Sequence, residues 1–412
     1  MNNFEEYCTQ FVQEVGNKEG AVSPAITNSA SFAYGTPEIG EGIFDGSLQK
    51  PLYSRMGNPT TARLESIIAK MDNGIGAVAT SSGMAATTLA TMSIVSAGDE
   101  IISIGGLFGG TYALFSETLT RFGITTTFFD VDELTNIENA ITDKTKIIFL
   151  ESVGNPNMRL PDIPAIAKIA NDAGVALIVD NTITPLSISP LQLGADIVVY
   201  STTKIISGNA SALGGCAVFR AINTDGDDKF KTPRYADMHK FIKAAGKMAL
   251  IPNAKKRAMR DFGMSANANA SYQTMLGLET LPLRMDKIIQ SVEIIAQALN
   301  EVGLNINHPS IESHPHHQRY KDNFSKGCGT LFTIDMGTKE EAFSFLNKTK
   351  LITLTANIGD SRTLALHMAS TIYRDFDDEV KNFLGITPGL IRVSIGLETP
   401  QDIINDFLKA TK

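Results

Sequence analysis

The chain predicts an α/β fold, with a large domain built on a mostly parallel sheet and a smaller α+β domain after it. Three observations carry that expectation. Short apolar runs alternate with helix-like stretches through the first two thirds of the chain; those runs are continuous rather than alternating in hydrophobicity; and the pattern changes after about Met264. Continuous apolar strands are what burial on both faces requires.

The elements follow in order. "GAVAT" (Gly76 to Thr80) is a short strand leading into "TSSGMAATTLA" (Thr80 to Ala90), where a small-residue turn opens a helix. A helix start of that kind offers free N–H groups and a positive dipole end, which suit a phosphate. "EIISIG" (Glu100 to Gly105) and "TTTFFD" (Thr125 to Asp130) come next, then "KIIFLES" (Lys146 to Ser152), which runs into Asn155 and Pro156. "DIPAIAKIANDAG" (Asp162 to Gly174) has apolar residues at helical spacing. "VALIVDN" (Val175 to Asn181) closes on Asp180, and "DIVVYS" (Asp196 to Ser201) leads directly into Ser201, Thr202, Thr203 and Lys204. Ligands of such sheets sit at the carboxyl ends of the strands. Beyond Met264 a long helical segment, "SYQTMLGLETLPLRMDKIIQSVEIIAQALNEVG", precedes the strand candidates "GTLFTIDMG" and "LIRVSIGLE". Residues 1–60 are rich in small and turn-forming types and predict an extended arm, residues 61–264 the large domain, and 265–412 the C-terminal domain.

Charge and composition narrow the function. A net charge of −8 over 412 residues leaves no basic stripe for phosphodiester backbones and argues against nucleic acid. No apolar run reaches membrane-spanning length, and the N-terminus carries acidic residues without an apolar targeting core, so the expectation is a cytoplasmic protein. Cys8, Cys216 and Cys328 lie far apart without metal-ligand spacing, which fits a reducing compartment. A small-molecule partner is expected.

Lys204 and Asp180 close neighbouring apolar runs and can face one crevice. With "YSRMGNPTTARLE", "SSGMAA", "LFGGTYALF", "ESVGNP", "VDNTITP", "YSTTK", "NIGDSRTL" and "LIRVSIGLE", in that order, the chain resembles the cystathionine gamma-synthase family of Cys/Met-metabolism pyridoxal-phosphate enzymes from about Ser23 onward. The resemblance implies a large domain of the aspartate-aminotransferase-like type. It also implies that Lys204 binds pyridoxal 5'-phosphate covalently, that Asp180 pairs with the ring nitrogen, and that Asn155 bonds the ring's phenolic oxygen. The backbone of Gly83 and Met84 and the hydroxyls of Ser201 and Thr203 would hold the phosphate, together with Tyr53 and Arg55 from a neighbouring subunit of a homotetramer made of two catalytic dimers, and Ser82 would belong to the same cofactor site. Arg392 would clamp the substrate carboxylate through a planar bidentate fork, and Asn357 would line the substrate side. Where the family usually stacks a tyrosine on the ring, this chain has Phe108. Stacking survives there, while a phenolic acid or base is lost.

Chemistry gives its own reason for these residue types. A lysine that attacks an aldehyde or relays a proton must be neutral part of the time, and a desolvated strand-end site lowers its pKa. Within the family, the segment from Ala221 to Gly263, the asparagine Asn357, and Gly110 where methionine gamma-lyases commonly carry cysteine resemble the O-acetylhomoserine sulfhydrylase branch. That branch implies gamma-replacement on an O-acyl-homoserine with sulfide or a thiol. A gamma-lyase acting on methionine or cystathionine, a cystathionine gamma-synthase, and a catalytically silent cofactor-binding protein stay open as alternatives. "SIGGLFGGTY" lacks the glycine order of a dinucleotide site. "SHPHHQRYK", with His314, His316 and His317, lacks further clustered ligands, so no metal is expected.

Overall fold

The structure, a computed structural model, describes residues 4–15 and 20–412. Seven strands form the central sheet: β1 (Gly76–Thr80), β2 (Glu100–Ile104), β3 (Thr125–Phe129), β4 (Thr145–Glu151), β5 (Ala176–Asp180), β6 (Ile197–Tyr200) and β7 (Gly215–Phe219). Their order is β1-β7-β6-β5-β4-β2-β3. The strands from β3 through β6 pair in parallel, and β7 enters antiparallel between β6 and β1.

Parallel neighbours require crossovers, which carry helices onto both faces of the sheet. Alternate residues of each strand therefore feed two cores. Ile148, Leu150, Leu177, Val179 and Val198 pack on one side, and Ile147, Phe149, Ile178, Ile197 and Val199 on the other. The six strands expected from sequence all form, with ends within one residue of the quoted runs. The seventh, "GCAVF", directly follows Gly214 and is not among the expected runs. Gly215 belongs to β7 because a Cβ there would lie 2.1 Å from the carbonyl oxygen of Ser82. Only glycine lets the strand approach that backbone so closely.

The first 60 residues depart from a purely extended arm. Helix α1 (Glu5–Val15) packs on helix Ala268–Glu301, and Phe4 and Phe11 are buried in the main core. Phe4, Tyr7 and Phe11 recur at three- and four-residue spacing, a short helical stripe within an otherwise polar segment. Helix α2 (Pro37–Asp45) is capped by Thr36, and α3 (Pro59–Met71) opens on a capping box between Asn58 and Thr61. Residues 20–36 and 46–58 carry no helix or strand, apart from an isolated bridge between Ser31 and Tyr53.

A second sheet comprises β8 (Ile306–Asn307), β9 (Leu331–Asp335), β10 (Thr353–Leu354), β11 (Leu364–His367) and β12 (Leu390–Ser394), in the order β10-β11-β12-β9-β8. Helices Lys339–Lys348 and Pro400–Ala410 cover it through Phe345 and Phe407, whose rings meet edge-on at 5.3 Å. Helix Ala268–Glu301 touches α3, β8, β9 and helix Pro400–Ala410, so it packs against elements that carry both sheets.

Candidate active site

Parallel pairing brings the carboxyl ends of the central strands to one edge, where Thr80 closes β1, Glu151 closes β4, Asp180 closes β5 and Tyr200 closes β6. A cavity of about 220 Å³ opens there. The sheet edge and the helix after β1 contribute Ser82, Gly83, Met84, Asp180, Ser201, Thr203 and Lys204 to its wall. Phe108 and Asn155 come from loops after β2 and β4, and Arg392 comes from β12 of the second sheet. Asn357 joins them through Lys204, whose Nζ donates to its Oδ1 at 2.7 Å.

The electrostatics follow from burial. Desolvation, aided by the Arg392 charge, brings the Lys204 amine down from 10.5 to about 8. About a tenth of it is then neutral at pH 7, against a vanishing fraction for an exposed lysine. Burial also brings Arg392 down to about 10. Its Nη1 donates to Asn155 Oδ1 at 3.0 Å and its Nη2 to the Asn357 carbonyl at 3.4 Å, and it makes no salt bridge among the described residues. A buried guanidinium that faces a cavity and has no carboxylate paired with it invites an anionic ligand. Asp180 presents the converse case. Burial pushes its carboxyl up, and its one backbone donor is the Thr182 N–H at 2.9 Å. A cation beside it would reverse that shift.

Helix α4 (Gly83–Met92) supplies an anion cradle. The Ser82 hydroxyl caps it by accepting the Ala85 N–H at 3.1 Å, which leaves the Gly83 and Met84 N–H groups without intrahelical partners. A Cβ on Gly83 would fall 2.5 Å from that of Ser201, so the cradle and the strand-end serine converge only over glycine. Thr203 is less free than the sequence suggested. Its hydroxyl donates to the Gly214 carbonyl at 3.1 Å and accepts the Gly214 N–H at 3.0 Å. It offers a ligand a proton only by rotating away from that loop.

Tyr53 and Arg55 lie elsewhere. Tyr53 is 47% exposed, and the Arg55 guanidinium sits 5.4 Å from its ring centre. Both border an open depression with Ser29 and Asn267, separate from the Lys204 cavity. The histidines of "SHPHHQRYK" have ordinary structural partners. His316 accepts the Leu160 N–H at 3.0 Å and faces Asp132 at 3.0 Å, while His314 accepts the His316 N–H at 3.0 Å. Among the described residues no group of three or more His, Cys, Asp or Glu side chains could hold a metal ion, and no helix is long and apolar enough to cross a membrane.

Sequence reasoning passed over Glu151, Thr182 and Tyr373. Glu151 had a legible signal, since it closes an apolar strand just as Asp180 does. Thr182, which accepts the Ser201 N–H at 2.8 Å, sits inside a quoted motif. Tyr373 had none.

A family model described as Cys/Met metabolism PLP-dependent enzyme matches residues 8–412, so the class that the cavity defines is the pyridoxal-phosphate-dependent enzymes. The chain belongs to the Cys/Met-metabolism family among them. It is 34% identical to an O-acetyl-L-homoserine sulfhydrylase of Leptospira meyeri, covering 94% of this chain and 89% of that one. It is also 33% identical to an L-methionine gamma-lyase of Fusobacterium nucleatum, covering 95% and 93% respectively. A solved structure named as an O-acetylhomoserine (thiol)-lyase from Campylobacter jejuni superposes with a TM-score of 0.91 at 31% identity and 99% coverage of both chains; it holds a pyridoxyl-lysine phosphate. Pyridoxal phosphate is the cofactor, and the cavity fits it. A helix start faces the cavity for the phosphate, a part-neutral lysine for the aldehyde, and a buried carboxylate without a cation for the ring nitrogen. Bound there, the group supplies an electron sink for a carbanion next to the substrate's amino group.

Proposed function

We propose that this enzyme performs gamma-replacement on an O-acyl-homoserine: the bond from the gamma carbon to the ester oxygen breaks, the acyloxy group leaves as a carboxylate, and sulfide or a thiol takes its place to give homocysteine or methionine. In this reading Lys204 would hold the cofactor through its Nζ and would move protons at the substrate's alpha carbon with the same atom. Asp180 stays ionised beside the ring nitrogen, and Asn155 bonds the ring oxygen. The Gly83 and Met84 N–H groups, Ser201 and, after rotation, Thr203 hold the phosphate; Ser82 keeps the helix start in shape. Arg392 clamps the substrate carboxylate and Asn357 keeps Lys204 within reach. Tyr53 and Arg55 complete the phosphate site of a neighbouring copy in a cytoplasmic homotetramer of two catalytic dimers.

The observation that carries this reading is Phe108. No tyrosine of the same chain lines the cavity among the described residues, and the neighbouring copy's Tyr53 is assigned to the phosphate, so Phe108 leaves no phenol over the ring to protonate a leaving group. A carboxylate such as acetate departs readily as the anion, its conjugate acid having a pKa of about 4, whereas a thiolate, at about 8.5 or higher, gains more from protonation. The site therefore favours a carboxylate leaving group. The names of the sulfhydrylase relatives support the same choice, and the lyase relatives define its alternative.

The test supplies O-acetylhomoserine, O-succinylhomoserine, methionine and cystathionine in turn, with and without sulfide or methanethiol. Replacement on O-acetylhomoserine should exceed release of 2-oxobutanoate from methionine at matched concentrations, and Phe108→Tyr should raise thiol elimination more than replacement. Faster breakdown of methionine than acyloxy replacement would make the enzyme a lyase.

A further inference from the structure

Two buried side chains that have no part in the roles above grip the same two loops from opposite ends. Glu151, 7% exposed, accepts the Phe108 N–H at 2.7 Å, and the Asn155 N–H acts on the same carboxyl by favouring its charged form. The Tyr373 hydroxyl, fully buried, lies 3.2 Å from the Leu107 carbonyl and 3.1 Å from the Asn155 carbonyl and shares its one proton between them. The Leu107 carbonyl and the Phe108 N–H belong to one peptide unit, and in a trans peptide they point in opposite directions. That unit is held between a carboxyl and a phenol. Asn155 faces the same pair, its carbonyl toward the phenol and its N–H toward the carboxyl.

We propose that Glu151 and Tyr373 are positioning residues forming a two-sided clamp that fixes Phe108 and Asn155 relative to each other at the cofactor ring. The proposal rests on the reading above for those two walls. The clamp holds with Glu151 un-ionised. Glu151 is the register partner of Asp180 on the adjacent parallel strand, and both line the cavity. A charge on Asp180 disfavours a second charge on Glu151. Burial and the Asp180 charge push Glu151 well up, against the pull of its two backbone donors. The other titratable groups facing it are Tyr373 and, across the cavity, Lys204 and Arg392. Asp180, which alone of the two carboxyls is placed beside the ring nitrogen, keeps the charge.

The experiment follows the visible absorbance of the holoenzyme against pH, and the dissociation of pyridoxal phosphate, without substrate. Glu151→Ala should weaken cofactor retention roughly tenfold or more, and Tyr373→Phe about threefold, as expected for loss of buried hydrogen bonds. Glu151→Gln, whose amide oxygen accepts the same N–H groups, should recover most of the alanine loss and leave the absorbance midpoint within about 0.3 pH units. A Gln variant as damaged as the Ala variant, or a midpoint lowered by about one unit through loss of a negative charge, would overturn the proposal. So would a Tyr373→Phe enzyme that retains cofactor like the parent. If Glu151→Ala does not fold, the Gln and Phe variants still decide it. None of these readouts uses a homoserine ester, so the choice between replacement and elimination is tested separately.

Discussion

Lys204 and Arg55 are both cations proposed to serve one cofactor, yet their surroundings differ. Lys204 lies in a cavity between a strand end and the second sheet, where burial takes its amine to about 8 and Asn357 holds it at 2.7 Å. Arg55 is exposed on the segment between α2 and α3, stacked 5.4 Å from the centre of a half-exposed Tyr53 ring and bordering a different depression. The cavity tunes its lysine through the fold of one chain. The arm residues are presented outward, and their proposed role requires a second copy to receive them.

The largest expected effect tests that contrast. Lys204→Ala and Arg55→Ala chains, each severely impaired alone, should recover activity when mixed, because a mixed dimer has one site with both residues intact and one with neither. Random exchange of equal amounts sets the ceiling at about a quarter of parental activity. No recovery with verified subunit exchange would mean that the arm serves its own chain.

A second measurement sharpens the cavity's side of the comparison. Attack on the cofactor's aldehyde requires the neutral amine. With Lys204 lowered from 10.5 to about 8, the neutral fraction rises with pH below that value and saturates above it. The rate of pyridoxal phosphate uptake by apoenzyme should climb about tenfold from pH 6 to 7 and flatten above about 8. A rate still climbing tenfold per unit between pH 9 and 10 would show an amine that burial has not shifted.

The same contrast explains what the sequence made legible. Strands buried on both faces announce themselves as unbroken apolar runs, so β1 through β6 and the strand-end positions of Asp180 and Lys204 could be read in advance. β7 was not among the expected runs, and the need for glycine at its entry shows only once Ser82 is seen against Gly215. α1 was passed over because its short stripe of Phe4, Tyr7 and Phe11 finds its partner only in helix Ala268–Glu301. Thr203 stood in the right motif, but its commitment to Gly214 is a tertiary fact. Tyr373 reaches Asn155 across 218 residues of sequence, a relation that no local pattern encodes.

The central claim is that Lys204, out of all the lysines of this chain, carries the cofactor. Reducing the holoenzyme with borohydride fixes pyridoxyl phosphate to the lysine that holds it, and peptide mass mapping then reads the position. The account predicts the added mass on the peptide containing Ser201, Thr202, Thr203 and Lys204, at Lys204. Label on a different lysine, with Lys204 unmodified, would contradict it.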